Sequence, residues 1–305
     1  MANSSKISLP YKLFSLLSVV RGYNILVLML AQYLAAIFIF SPEKSVRNVV
    51  LDIHLFYIVL ASVCVVAAGY IINNFYDVKV DQINRPIKSK IDNYIKQETK
   101  LSLYFFLNFV GFLAAYLVSY RAAIFFSVYI FGIWLYSHKL KKYPFTGSLT
   151  ATILTITPFF AVFVYFKNFS NIIFIHAVFL FLVIMVREFI KDLENIKGAV
   201  IGNYDTFPVV YGEKKTKQLS ILLLAFTFVP VAILFTYPAI SYMKYYFYFA
   251  AAVLMYVGFY LWKATTRIHY TRLHIILKLL LLIGIFSLIF MDTSLILEKV
   301  IDQLD

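Results

Sequence analysis

The sequence predicts an all-α, polytopic membrane protein with nine transmembrane helices. Three observations carry that prediction. Of 305 residues, 62% are hydrophobic and only 14% charged, and mean hydropathy is +0.82; a water-facing surface needs far more charge. Apolar runs of roughly 18 residues or more, enough to cross a bilayer, recur along the whole length. No long polar segment interrupts them, so residues 1–305 read as one transmembrane domain. The third observation is the placement of the charge. With spans at 23–40, 53–73, 101–119, 122–137, 148–166, 171–187, 219–237, 245–262 and 273–291, 22 of the 28 Lys and Arg fall on the N-terminal side. The other six are Lys44, Arg47, Arg121, Lys167, Lys244 and Lys299. This positive-inside asymmetry predicts a cytoplasmic N-terminus and an external C-terminus. A net charge of +13 then faces anionic headgroups, and nucleic acid is not an expected partner.

Taken in order, residues 1–22 form a polar-to-amphipathic entry with Lys6 and Lys12 but without a convincing cleavage site, read as retained. It ends in Arg21-Gly22-Tyr23-Asn24, where Arg21 fits either a snorkelling anchor or a functional cation. Span two begins near His54, read as structural, and holds Cys64, whose solitude excludes an intramolecular disulfide. It closes on Asn73–Pro86, where Asn73, Asp77 and Asp81 recur every four residues and so stack along one helical face. Two carboxylates a turn apart at the edge of hydrocarbon need a cation: Arg85, or a divalent metal. A solvated helix end would show the same spacing. The connection 77–100 mixes acids with lysines and is long enough for a lid.

Span four ends in Tyr136-Ser137-His138-Lys139-Leu140-Lys141-Lys142, an anchor in which Tyr136 and Ser137 lie at headgroup depth. The hydroxyl-rich start of span five reads mostly as close helix packing. Span six ends in Arg187-Glu188-Phe189-Ile190-Lys191-Asp192-Leu193-Glu194-Asn195, again with two acids four apart. Spans two and six run the same way, which places both acidic clusters on one membrane side and suggests a parallel internal repeat. Such a chamber suits Mg²⁺ bridged by a phosphate, because Mg²⁺ takes carboxylate and substrate oxygens and keeps waters. A second loop, 196–217, follows. Spans seven to nine carry interfacial aromatics; Lys278 in the last either snorkels or meets a ligand.

Asn73-xxx-Asp77-xxx-Asp81 with Asn84-Arg85-Pro86 resembles the first aspartate motif and lid of the UbiA-superfamily intramembrane prenyltransferases. Arg21-xx-Asn24 resembles that family's N-terminal motif, with Gly22 in a proline position. Tyr136-Ser137-xx-Leu140-Lys141 and Arg187-Glu188-xx-Lys191-Asp192-x-Glu194, then Thr206-Phe207-Pro208-Val209-Val210-x-Gly212, are similar to its later motifs. The match runs from about residue 21 to 215 in the family's order.

The resemblance implies a helical bundle around a lipid-open chamber, a polyprenyl diphosphate donor and Mg²⁺. It implies metal contacts from Asn73, Asp77, Asp81, Glu188, Asp192 and Asn195. Arg21, Asn24, Asn73, Arg85, Ser137, Lys141, Arg187 and Lys191 would hold substrate. Asp77, Asp81, Asp192, Arg85 and Tyr136 would serve catalysis. Departures are Asn195, Ala199 and Asn74, where the family often has aspartate. The span-six motif lies nearest the branch that alkylates geranylgeranylglyceryl phosphate-like lipid precursors. Aromatic quinone precursors such as hydroxybenzoate remain open as acceptors, as do a non-catalytic isoprenoid-binding protein and a transporter. The expected location is a prokaryotic cytoplasmic membrane, with the active-site loops cytoplasmic.

Overall fold

The structure, a computed structural model, describes residues 9–291, which are helical with no strand among them. Lys6 and Lys299, assigned above to opposite membrane sides, lie outside the described residues. The chain opens with α1 (Leu9–Val19) and α2 (Gly22–Ala35), the latter extended by a π-turn to Phe40. Then come α3 (Val46–Val50), α4 (Ile53–Tyr76), and two short helices, α5 (Val78–Asn84) and α6 (Pro86–Asp92). Next are α7 (Gln97–Val118), α8 (Tyr120–His138), α9 (Thr146–Phe166), α10 (Asn171–Glu194) and the short α11 (Ile196–Ile201). α12 (Phe207–Leu234), α13 (Lys244–Lys263) and α14 (Arg267–Ser287) complete the bundle. Nine stretches among the described residues are long and apolar enough to cross a membrane.

Local chemistry sets the ends that matter for the site. Asp52 caps α4, its Oδ1 accepting from the backbone N–H of His54 (3.0 Å) and Leu55 (3.2 Å). At the other end the backbone kinks at Asp77 (φ −94°, ψ 8°). The i,i+4 bonds nevertheless continue, Asp77 N–H to Asn73 O (3.0 Å), Asp81 N–H to Asp77 O (2.8 Å) and Arg85 N–H to Asp81 O (2.8 Å). The four-residue stacking expected of Asn73, Asp77 and Asp81 therefore survives the kink.

Three boundaries differ from the sequence reading. The connection 77–100 is not a loop: α5 and α6 fill it, with Pro86 opening α6 where a missing N–H costs nothing. Span six runs on to Glu194, so Glu188 and Asp192 sit within its last two turns and not beyond its end. Span seven starts at Phe207 instead of near 219, bending at Gly212, whose φ of 85° suits glycine. Hydropathy windows stop at the first charges, whereas the helices continue into the polar layer.

The helices close into a ring. α2 packs on α4, α4 on α9, α9 on α10, α10 on α14, and α14 returns to α2. α7 packs on α4 and α12 on α10 from outside, while α8, packed on α4 and α9, and α13, packed on α12 and α14, also reach the enclosed space.

Two polar devices fix the short helices. The first surrounds Asn74, a departure from the family pattern that turns out to face away from the enclosed space. Lys100 Nζ donates to Asn74 Oδ1 (2.9 Å), Asn74 Nδ2 to Asp92 Oδ2 (3.0 Å), and Lys88 Nζ to that same oxygen (2.6 Å). Ser18 Oγ donates to Asp92 Oδ1 (2.6 Å), tying in α1. Asp92 and Lys100 are almost fully buried, and such a network is stabilising only because every member is paired. The second device joins α5 to α11. Asn84 Nδ2 donates to Asn195 O (3.4 Å), and Gly198 N–H donates to Asn84 Oδ1 (3.2 Å). The approach is so close that a Cβ on Gly198 would lie 2.2 Å from Asn84 Nδ2.

Gly198→Ala is therefore expected to destabilise the protein by about 1–3 kcal/mol. A lower Tm in detergent is the readout; an unaltered Tm would show that Asn84 yields without cost.

Candidate active site

Inside the ring lies a cavity of about 1040 Å³. Its wall includes every residue that the sequence nominated: Arg21, Asn24, Asn73, Asp77, Asp81, Arg85, Tyr136, Ser137, Lys141, Arg187, Glu188, Lys191, Asp192 and Asn195. On α10 the lining extends from Glu194 to Ile173, about 32 Å at helical rise and close to a hydrocarbon thickness. The polar groups gather at the end closed by α5 and α11. Apart from His176 and Lys278, the rest is mostly apolar and aromatic, with Ala31, Ala35, Phe40, Leu154, Phe159, Phe179 and Phe247.

On the α4 side, Lys141 Nζ donates to Asp77 Oδ1 (2.5 Å) and Asn73 Oδ1 (3.3 Å). Tyr204 adds its hydroxyl to the same Asp77 oxygen (2.7 Å) and presents its ring to Lys141 at 5.6 Å. Asp77 is thus balanced within the protein. Asp81 is not: among the described residues it has no hydrogen-bonded or ion-paired side-chain partner. Burial and the neighbouring Asp77 charge push its carboxyl above the usual range, against the pull of Arg85, Arg21 and Lys88. Burial, then Arg21, pushes the Arg85 guanidinium below its usual value, while Asp81 and Glu194 oppose that shift. The Tyr204 phenol is pushed up by burial and by Asp77.

On the α10 side the expected metal role of Glu188 meets a different arrangement. Both its oxygens are engaged, Oε1 by Arg187 (2.9 Å) and Oε2 by Lys191 (2.5 Å). It orients two cations, and each of its oxygens already accepts one charge-assisted bond. Asp192 keeps more capacity, accepting only from Ser148 Oγ (3.0 Å). Asn195 Nδ2 donates to Lys191 O (2.7 Å), which leaves Asn195 Oδ1 buried without a partner. Ser137 Oγ is likewise buried and unpartnered, and Tyr136 lines the wall beside it.

No three acidic, His or Cys side chains cluster as a ready metal site among the described residues. The oxygen donors nonetheless fit Mg²⁺. Asp81 on one wall, Asp192 and the orphaned Asn195 Oδ1 on the other, are hard ligands lacking a full set of partners. Such a set suits a metal that also takes oxygens from its substrate.

Sequence reasoning passed over several members. Tyr204 sits in a segment read as plain loop. Tyr70 lies under the Arg21 guanidinium (4.8 Å) and accepts from Asn24 Nδ2 (3.3 Å). His274 Nδ1 meets Glu194 Oε2 at 2.9 Å. Arg267 donates to Asn84 O. Tyrosines in an aromatic-rich membrane chain give no periodic signal, and His274 and Arg267 come from a helix far along the sequence.

The family model for the UbiA prenyltransferases matches residues 33–282. The chain belongs to the UbiA prenyltransferase family. Relatives include the digeranylgeranylglyceryl phosphate synthase of Methanosphaera stadtmanae, 34% identical over 191 residues, 60% of this chain and 68% of that protein. The synthase of Methanobrevibacter smithii is 30% identical over 217 residues, covering 68% and 72%. That of Thermococcus gammatolerans is 32% identical over 155 residues, so the match spans about half of either chain (50% and 55%). In fold, this UbiA member is similar to a structure of digeranylgeranylglyceryl phosphate synthase (TM-score 0.69, 20% identity, 91% and 97% covered). It is also similar to a UbiA homologue from Archaeoglobus fulgidus bound to GPP and Mg²⁺ (TM-score 0.66, 15% identity, 90% and 99% covered).

Asp81 yields a sign-specific expectation. A carboxyl whose folded pKa is raised destabilises the metal-free fold as pH rises through that pKa, and the penalty is relieved as pH falls. Without Mg²⁺ at neutral pH, Asp81→Asn should be at least as stable as wild type. Adding Mg²⁺ with inorganic diphosphate at about 100 times Kd should stabilise wild type by about 2.7 kcal/mol and Asp81→Asn by much less. Equal Mg²⁺-dependent shifts in Tm would remove Asp81 from the ligand set.

Proposed function

We propose that this UbiA-family chain transfers a polyprenyl group from an allylic polyprenyl diphosphate to a geranylgeranylglyceryl phosphate-like acceptor. The observation that carries the reading is the one cavity that joins under-partnered carboxylates and lysine- and arginine-rich walls to a long apolar tunnel. The names of the relatives support the acceptor class.

In this reading Asn73, Asp77, Asp81, Asp192 and Asn195 face the metal and donor diphosphate. Glu188 acts through Arg187 and Lys191, which it holds. Mg²⁺ bound there supplies positive charge against the developing charge of the leaving group. Arg85 and Lys141 share that charge from the protein side, and Lys141 is already positioned by Asp77. Breaking the donor C–O bond yields diphosphate and an allylic cation. The acceptor hydroxyl oxygen forms the new C–O bond to that cation, and its proton passes to the released diphosphate. Tyr70, Tyr129, Tyr136 and Phe159 line the path with ring faces that favour a cation, while the apolar wall keeps water from competing. Ser137 and Asn24 offer hydrogen bonds to headgroups, and the tunnel takes the isoprenoid tails.

The 22-to-6 split of basic residues supports an orientation with the polar end of the cavity facing the cytoplasm, in a prokaryotic cytoplasmic membrane. Lys90→Cys and Val200→Cys, both at exposed positions, should react with an impermeant thiol reagent from the cytoplasmic face only. Labelling from opposite faces would overturn the orientation.

The activity is tested with purified protein, labelled polyprenyl diphosphates, Mg²⁺ and a panel of acceptors. A diprenylglyceryl phosphate product, lost in EDTA, is expected; prenylation of hydroxybenzoate alone would overturn the acceptor. Asp81→Asn and Asp192→Asn should each lower turnover by on the order of 10²-fold or more. Near-normal turnover in both would exclude the carboxylate site.

A further inference from the structure

The cations on the cavity wall fall into two kinds. Lys88, Lys141, Arg187 and Lys191 each lie within 3 Å of a carboxylate oxygen. Arg21, Arg85 and Lys278 have no such partner among the described residues, although the charges of Asp81 and Glu194 bear on Arg85. Two of the three rest on ring faces, Arg21 4.8 Å from the Tyr70 ring centre and Lys278 Nζ 5.0 Å from that of Tyr23. A ring face holds a cation in place without cancelling its charge.

Their position is unusual too. Lys278 lies eleven residues into α14, about 16 Å along the helix axis, where an unpaired charge is expensive and marks function more often than decoration. It is at the edge of the cavity where α14 meets α2, and the charges of Arg187, Arg21 and Arg85 all bear on it. Arg21 itself occupies the left-handed region (φ 53°), which non-glycine residues adopt at a cost. Arg21 also pulls on Asp81, but Lys278 meets positive charge alone, and like charges so gathered favour an anion. The carboxylate side of the same cavity repels an anion unless a metal mediates. The cavity thus has two chemically distinct anion seats.

We infer that Lys278 and Arg21 form a direct seat for a phosphate monoester on the acceptor, separate from the metal-dependent seat of the donor diphosphate. This rests on the acceptor reading proposed above, but its test needs no turnover. The full chain in detergent is titrated with a prenylglyceryl phosphate and with the same prenylglycerol lacking phosphate. A non-reactive thio-analogue of the donor diphosphate, with Mg²⁺, is titrated in parallel. Wild type should bind the phosphate form at least about tenfold tighter, as expected of a charge-assisted contact. Lys278→Met should lose most of that preference and Lys278→Arg should keep it, with donor-analogue affinity little moved. Lys278→Gln supplies the same comparison if the Met variant fails to fold.

An unchanged preference in Lys278→Met would overturn the seat and leave Lys278 a snorkelling anchor. An equal loss of donor-analogue affinity would reassign the lysine to the diphosphate and also overturn it. Competition by phosphatidylglycerol but not by prenylglyceryl phosphate would assign the site to bulk lipid. If wild type binds with phosphate preference yet transfers nothing to that acceptor, the proposed activity fails while the seat stands.

Discussion

Lys141 and Asp77, 2.5 Å apart, make the rest of the site affordable. A carboxylate pair at the end of a helix embedded in hydrocarbon is prohibitively costly unless one member is neutralised within the protein. Lys141 neutralises Asp77, Tyr204 and Asn73 complete the contact, and Asp81 is left as the charge that still seeks a cation. α10 repeats the logic with different parts. Glu188 is satisfied by Arg187 and Lys191, while Asp192 has only a serine hydroxyl. The α4 wall therefore holds one balanced and one reserve acid, and the α10 wall one reserve acid beside two that are paired, Glu188 and, through His274, Glu194; the reserve acids are what a metal-bearing anion would find.

The same division explains the departures from the family pattern. Asn74 belongs to a buried network with Lys100 and Asp92 outside the cavity, so an amide there costs the metal site nothing. It donates to Asp92 and accepts from Lys100 at once, which a carboxylate cannot do. Asn195 does line the cavity, and its oxygen is the atom left without a partner. Ala199 is buried at the same wall and offers no donor.

Much of this was legible in the sequence because membrane insertion and helical periodicity are strong constraints. The nine spans follow from hydropathy, and the stacking of Asn73, Asp77 and Asp81 follows from a spacing of four. All the nominated residues share one cavity because like-directed helices must end on the same side. What spacing could not reveal was pairing. Whether Glu188 is a ligand or a clamp depends on side-chain direction within one turn of helix. The short helices α5 and α11, seven and six residues long, are too short to show a periodicity of their own. Tyr204, Tyr70 and His274 reach the site through tertiary packing alone.

The clasp between Asn84 and Gly198 couples two helices that are far apart in the chain. α5 follows one acid-bearing helix and α11 follows the other, and a single asparagine side chain joins them. Neither short helix can swing away while that side chain holds both. Displacing either cover therefore breaks the hydrogen bonds that Asn84 makes to Asn195 O and to the Gly198 N–H, so the two covers are coupled at the polar end of the cavity.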